Sequence, residues 1–226
     1  MQFRTTKAAA NFQRYITNTI REALDDFVLA DLDDILIYSN LEEEHEEHIK
    51  WVMQHLLEVG FYLKPNKCEF HKETIRYLGL IISTTGILMD ENKVETVRNW
   101  SQEEKTKNRR LNNLFKVHQF IGFCNHYWHC LPKYSEKAEP LRRLTKKNGP
   151  FWWESEQQLA VVTIVTTFAS TQVLRHFYPD KEVLIETDVS EYLSAGVLSQ
   201  YDDRNVWHPV AYFLKKHTLA ECIYDI

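Results

Sequence analysis

The sequence predicts an α+β chain, and three features carry that prediction. Residues 8–24 place Phe12, Ile16, Ile20 and Leu24 four apart, which draws one apolar stripe along a helix. The β-prone runs FVLA and ILIYS flank an acidic break, DLDD, and read as a hairpin. Beyond Asn148-Gly149-Pro150, the strongest breaker in the chain, a helix over 155–168 gives way to a β-branched run at 182–187, then Asp188 and a turn region, Ala195 to Gln200, and a third strand at 208–213.

The elements between follow in order. Ser39-Asn40 offers cap chemistry to an amphipathic helix from Leu41 to Val59, whose apolar face is Ile49, Val52, Met53, Leu56 and Leu57. Glu42 to Glu44 suit its positive end, and Gly60 stops it. His45 and His48 lie on this helix beside glutamates. A carboxylate-bridged metal helix needs a second such helix, and none is visible, so a solvated face is the better reading. Short strands are predicted at Phe61–Leu63, across TIRYLGLIIS, and at ILM after a Thr84-Thr85-Gly86 turn. Asp90 is an N-cap candidate for ENKVETVRNW. A polar basic stretch covers 103–118, VHQFIGFCNHYWHCL reads as helical, and Leu141 to Lys147 is a short basic element.

With 226 residues, 44% hydrophobic, the chain can bury a real core in one to two domains. Only 6 Gly and 6 Pro argue against a linker-rich or disordered chain. No apolar run reaches the roughly 18 residues a membrane helix needs, and no secretory segment opens the chain, so a soluble intracellular setting is expected. Cys68, Cys124, Cys130 and Cys222 lack paired CxxC spacing. Cys68 with His71, or the Cys124, His126, His129 and Cys130 group, could supply zinc half-sites, but reduced thiols fit the spacing better.

A net charge of −5 looks wrong for a nucleic-acid binder until the charges are mapped. Glu22 to Glu47 holds 11 acids and no Lys or Arg, whereas Lys105 to Lys147 holds 11 Lys/Arg against Glu136 and Glu139. Such asymmetry fits one segment facing phosphate and another facing cations or solvent. A pair of solvated helix faces would give the same map. Asp33 and Asp34, adjacent in the hairpin turn, repel each other unless a cation or hydrogen bonds compensate. Mg²⁺ is a hard ion held by one or two carboxylates plus substrate phosphates, and paired ions of this kind serve nucleotidyl transfer. The competing reading is an ordinary Asp-rich turn.

Collinear motifs run through nearly the whole chain. MQFRTTKAAANFQRYI resembles the Met-Pro-Phe-Gly-Leu-Thr-Asn-Ala-Pro-Ala-Thr-Phe-Gln segment of gypsy-type long-terminal-repeat retrotransposon reverse transcriptases. ADLDDILIYS is similar to their Tyr-X-Asp-Asp hairpin, and EEHIKWVMQHL, KPNKCEF, YLGLIISTTGI, FIGFCNHYW and EPLRRLTKK follow in family order. LIETDVSEYLSAGVLSQ resembles the opening of the RNase H region. The resemblance implies a partial polymerase palm over 1–89, a basic helical thumb and connection over 90–149, and an incomplete RNase H-like β unit over 150–226. It implies RNA-directed DNA synthesis, with Mg²⁺ (or Mn²⁺), an RNA or DNA primer–template and deoxynucleoside triphosphates as ligands. Asp33 and Asp34 would be polymerase metal aspartates, and Asp188 the first RNase H metal carboxylate. Phe12 and Gln13 would line the template and nucleotide side, and Tyr77, Leu78 and Gly79 would support the primer end. Arg109, Arg110, Arg142 and Arg143 would meet phosphate.

Three departures limit the implied activity. Met1 aligns with an internal methionine, so the other polymerase aspartate is expected to lie outside these residues. The next RNase H carboxylate is expected beyond Tyr224-Asp225-Ile226. Asp31 stands where the family has tyrosine, Phe3 to Ala9 lacks the family's glycine and proline, and His126 to Cys130 lacks its arginines. The expectation is a catalytically impaired copy, the alternative being a non-catalytic nucleic-acid-binding or relic protein.

Overall fold

A computed structural model describes residues 8–101, 111, 113–146, 149–170, 173–190 and 193–218. The chain forms two compact units, residues 1–73 and 74–226. Phe3 to Lys7, Arg109, Arg110, Cys222 and Tyr224 to Ile226 lie outside the described residues.

In the first unit α1 (Ala8–Thr19) is followed by a 3-10 turn at Arg21–Ala23, so the helix is shorter than its stripe. The stripe is nonetheless the buried face: Ile16 and Ile20 pack with Ala23, Val28, Val52 and Leu56. Next come β1 (Val28–Asp31), β2 (Asp34–Ile37) and α2 (Glu42–Glu58). Helix α2 ends as expected. Gly60, at φ +75°, donates to Leu57 O at 2.9 Å, and Phe61 donates to Leu56 O at 2.9 Å. The two bonds satisfy carbonyls that the helix end orphans. Only part of the anticipated face is covered: Val52 and Leu56 are buried, whereas Leu57 is 76% exposed.

Two expectations for α2 are corrected. Its N-cap is Leu41, with no side-chain cap. Ser39 Oγ instead lies 2.7 Å from His48 Nδ1 and 3.2 Å from His45 Nδ1. His48 stacks on Phe27 with centroids 3.8 Å apart, and His45 meets His71 edge-on at 5.4 Å. These imidazoles are therefore fastened within the unit. Burial, then the neighbouring His71 and His48, lowers the pKa of His45. Phe61–Leu63 forms no strand, and Tyr62 is almost fully exposed.

The second unit opens with an antiparallel sheet of β3 (Thr74–Tyr77), β4 (Leu80–Ser83) and β5 (Gly86–Met89), in that order. A short segment at Leu174 bridges the far side of β5, exchanging hydrogen bonds with Ile87 at 2.7 and 3.0 Å. Helices α3 (Glu91–Ser101), α4 (Leu114–His126), α5 (Tyr134–Leu144) and α6 (Ser155–Ala169) follow. Asp90 caps α3 as read, accepting from Asn92 N at 2.9 Å. Helix α5 starts at Tyr134, so the basic 141–147 segment is largely the end of a longer helix. A reciprocal capping box of Glu154 and Gln157 opens α6.

The core of this unit lies between those helices: Val97, Val117, Phe120, Ala138, Leu141 and Ile164 are each no more than 1% exposed. Cys124 and Cys130 lie in the same core, where burial pushes both thiols up in pKa. They act as small apolar side chains. Cys68 donates to Lys64 O, and no disulfide is formed among the described residues.

A second antiparallel sheet follows, β6 (Val183–Ser190), β7 (Leu193–Tyr201) and β8 (Trp207–Lys216). β6 runs through Asp188, which pairs with Ala195, where the sequence suggests a turn. The β7–β8 connection is held by Asp202. Its carboxylate accepts from Arg204 N at 2.8 Å and Val206 N at 2.9 Å, and meets His208 Nε2 at 2.9 Å. The bond from Val206, followed by those from Arg204 and His208, holds its pKa down at about 2. A depressed folded-state pKa stabilises above the unfolded value and is lost as pH falls through the folded one. Asp202→Asn should therefore lower the melting temperature at pH 7. The gap to wild type should close as pH falls from about 4 towards 2, and melts across that range check it.

No helix among the described residues is long and apolar enough to cross a membrane.

Candidate nucleic-acid interface

The Asp33-Asp34 pair sits on the tightest turn of the first unit. β1 and β2 pair from Val28↔Ile37 to Asp31↔Asp34, leaving Leu32 and Asp33 as a two-residue loop. Leu32 has φ +47°, and Asp33 is not in the positive-φ region. Two-residue hairpins need positive φ at one or both central positions to match strand twist. A leucine there is uncommon.

Asp31, Asp33 and Asp34 are all exposed, and no ion pair is described for any of them. The chemistry of Asp33 and Asp34 suits a divalent cation, because two carboxylates with substrate phosphates are a normal complement for Mg²⁺. They are at most part of a site. Among the described residues no group of three or more His, Cys, Asp or Glu side chains is placed to hold a metal ion. That statement covers the zinc half-sites as well.

Of Phe12 and Gln13, only the second hydrogen-bonds the hairpin with its side chain. Phe12 packs edge-on to Phe61, with centroids 5.7 Å apart, and flanks the buried cluster of this unit. Gln13 spends its amide on the hairpin. Oε1 accepts from Leu32 N at 2.5 Å, and Nε2 donates to Ala30 O at 2.9 Å. No sequence signal points to this, because the partners are 17 and 19 residues away.

Tyr77, Leu78 and Gly79 form the β3–β4 turn in the second unit. Tyr77 pairs with Leu80, and the loop residues Leu78 and Gly79 have φ +52° and +79°. Positive φ at both positions is the primed turn that hairpin twist favours. Glycine is required at the second for space as well: a Cβ on Gly79 would collide with the Tyr127 hydroxyl. Asp90 N donates to Gly79 O at 3.1 Å, tying the turn to the start of α3.

Asp188 is exposed and engages one cation through one of its oxygens. Lys133 Nζ lies 2.9 Å from its Oδ2, and that bond raises the lysine pKa. A cleft of about 440 Å³ lies beside the pair, lined by Lys133, Lys137, Thr187, Ala195 and Tyr212. A cation at Asp188 would share the carboxylate with Lys133, which engages Oδ2 alone. The described basic residues are also partly engaged. Arg143 reaches Glu156 at 3.2 Å and Glu139 at 3.9 Å, and Arg142 lies over the Tyr134 ring at 5.9 Å.

Residues 5–82 match the family model described as reverse transcriptase (RNA-dependent DNA polymerase). Residues 153–226 match the model of an RNase H-like domain found in reverse transcriptase. The Tf2-3 transposon polyprotein of Schizosaccharomyces pombe is 34% identical over the whole of this chain, and the Tf2-7 polyprotein of that yeast is 33% identical. This chain is a reverse transcriptase–RNase H region of the long-terminal-repeat retrotransposon type. It spans 16% of the length of either polyprotein. The α+β fold of this retrotransposon chain is shared with solved structures. A foamy viral protease-reverse transcriptase in complex with an RNA/DNA hybrid superimposes with a TM-score of 0.68 at 20% identity, covering 96% of this chain and 28% of that one. The same viral protein with double-stranded DNA gives 0.66 at 19% identity, covering 98% and 44%.

Proposed function

We propose that the chain works as part of an RNA-directed DNA polymerase, binding a primer–template, with Asp33 and Asp34 as its divalent-metal carboxylates. The observation that carries this is the two-residue hairpin, which puts adjacent exposed carboxylates, without a described counter-ion, on a turn fixed from behind. Mg²⁺ held there would supply positive charge to the attacking hydroxyl and to the phosphates of a deoxynucleoside triphosphate. The protein's own contribution is geometric: the strand pairing sets the separation of the carboxylates, and the Gln13 amide sets the turn. The division into palm (1–89), thumb and connection (90–149) and RNase H-like unit (150–226) belongs to the same proposal. It is supported by the family matches at 5–82 and 153–226. Asp188, as the first RNase H metal carboxylate, belongs to the same proposal, its exposed ion pair with Lys133 being the kind a divalent cation can compete with.

The test is a fluorescence-anisotropy titration of a labelled DNA primer on an RNA template, followed by single-nucleotide incorporation with Mg²⁺. Expected are salt-sensitive binding and slow incorporation that EDTA abolishes, slow because Asp33 and Asp34 are only part of a metal site and Asp31 adds a third negative charge at the turn. Incorporation that proceeds equally in EDTA, or no binding at low salt, would overturn the proposal. Binding without incorporation would favour the second reading, a non-catalytic nucleic-acid binder, for which the net basic 105–147 segment is the supporting feature.

A further inference from the structure

The Gln13 side chain uses both ends of its amide on one hairpin, and the two ends are not interchangeable. Its carbonyl accepts from the Leu32 backbone N–H, and its NH₂ donates to the Ala30 carbonyl. A second NH₂ contact reaches Thr17 Oγ1, one helical turn along α1, at 3.5 Å. Turning the amide over would set carbonyl against carbonyl at Ala30 and NH₂ against N–H at Leu32. The hydrogen-bond pattern therefore admits one orientation. Gln13 is half-buried, and its helix is anchored below it by Ile16 and Ile20 in the core. The amide thus acts on the turn from a fixed base.

What the amide holds is costly. Leu32 lies at φ +47° with a branched side chain, a conformation that persists when its surroundings over-determine it. The β1–β2 pairing stops at Asp31↔Asp34, with like charges facing each other, so the ladder itself is weakest next to the turn. The two Gln13 bonds lie just where support is missing. One holds the last residue but one of β1, and the other holds the turn residue that precedes Asp33.

We propose that Gln13 is the positioning residue of the Asp33-Asp34 turn: its amide clamps Ala30 and Leu32, and so fixes the geometry in which the carboxylates meet a divalent cation. The cation's role rests on the function proposed above, whereas the clamp itself can be read without it.

The experiment uses the full chain with Gln13→Leu and Gln13→Glu, and two readouts besides activity. Amide exchange at Leu32, followed by NMR, reports the clamp. Mn²⁺ affinity, followed by electron paramagnetic resonance, reports the carboxylates, with Asp33→Asn as the control that defines specific binding. Gln13→Leu should speed Leu32 exchange roughly tenfold, the scale of one lost hydrogen bond. It should also weaken Mn²⁺ binding severalfold, while exchange in the α1–α2 core stays as in wild type. Gln13→Glu keeps an acceptor for Leu32 but loses the donor to Ala30, so it should retain most of the Leu32 protection. Unchanged Leu32 exchange in Gln13→Leu would overturn the clamp. Leu32 exchange that rises only together with the core amides would overturn it too, because that is general destabilisation. Faster Leu32 exchange with unchanged specific Mn²⁺ affinity would overturn the positioning role. If wild type and Asp33→Asn bind Mn²⁺ alike, the metal function fails and with it the positioning role, whereas the exchange result still decides the clamp.

Discussion

Gly86→Ala is expected to destabilise the second unit by about 2–5 kcal/mol, the combined scale of a strained backbone and an overpacked contact. Gly86 opens β5 with φ +144°, a region that residues with a Cβ rarely enter. A Cβ there would collide with Leu174 O and lie 2.8 Å from Val173 Cγ1. The first of these is a backbone atom already receiving the Ile87 N–H at 2.7 Å, so it cannot retreat without breaking the bridge across β5. More would be lost than that bridge. The adjoining Arg175 donates to Thr85 O, and His176 reaches Ser83 O at 2.6 Å, so one short segment fastens the whole β4–β5 turn. Arg175 N also donates to Pro209 O, linking this sheet to the one that begins at β6. Gly122→Ala is the matched control. Nothing lies within 4 Å of its Cβ position inside α4, and alanine there should stabilise by up to about 1 kcal/mol. Urea unfolding of the two variants should move in opposite directions. Equal effects would mean that the contact at Leu174 does not restrain the sheet.

The contrast between these glycines marks what could be read from the chain without coordinates. The Asp33-Asp34 hairpin was legible because strand alternation, an acidic break and short length all act locally. The Gly60 stop was legible for the same reason, since helix ends are satisfied by residues next to them. Leu57 shows where locality fails. Helical spacing says which residues share a face, but the depth of cover depends on what packs there, and Leu57 was left in solvent. Ser39 fails differently. Its hydroxyl had two outlets, a cap or the imidazoles one and two turns along α2, and the folded geometry chose the imidazoles. The partners of Asp188 and Gln13 were beyond reach altogether. Lys133 is 55 residues from Asp188, and neither pairing leaves a periodic trace. The resemblance to reverse transcriptases named those positions, but it did not say that Asp188 would meet Lys133 or that Gln13 would bond the hairpin.

Under the proposed polymerase role, Asp33→Asn and Asp31→Tyr should move nucleotide incorporation in opposite directions, although both remove one negative charge from the same turn. The Asp33→Asn side chain keeps an oxygen but loses the charge that holds a divalent ion against phosphate. Removing one such preorganised electrostatic partner typically costs about 10²–10³ in rate. Asp31 is different because no metal role is proposed for it. It faces Asp34 directly across the hairpin, where opposite-strand like charges cost about 0.2–1 kcal/mol. Near a triphosphate its charge adds repulsion. At about 6 Å in water-like surroundings each pair of unit charges costs roughly 0.7 kcal/mol, so two such pairs amount to about tenfold in affinity. Asp31→Tyr should therefore lower the KM for the nucleotide by about tenfold. The same substitution should weaken Mg²⁺ binding modestly, since a third carboxylate also attracts the cation. That split is the useful signature: nucleotide KM falls while the Mg²⁺ requirement rises. Initial rates over a grid of nucleotide and Mg²⁺ concentrations would separate the two. If KM and the Mg²⁺ requirement shift the same way, Asp31 acts on the stability of the hairpin and not on the charge that an incoming nucleotide meets.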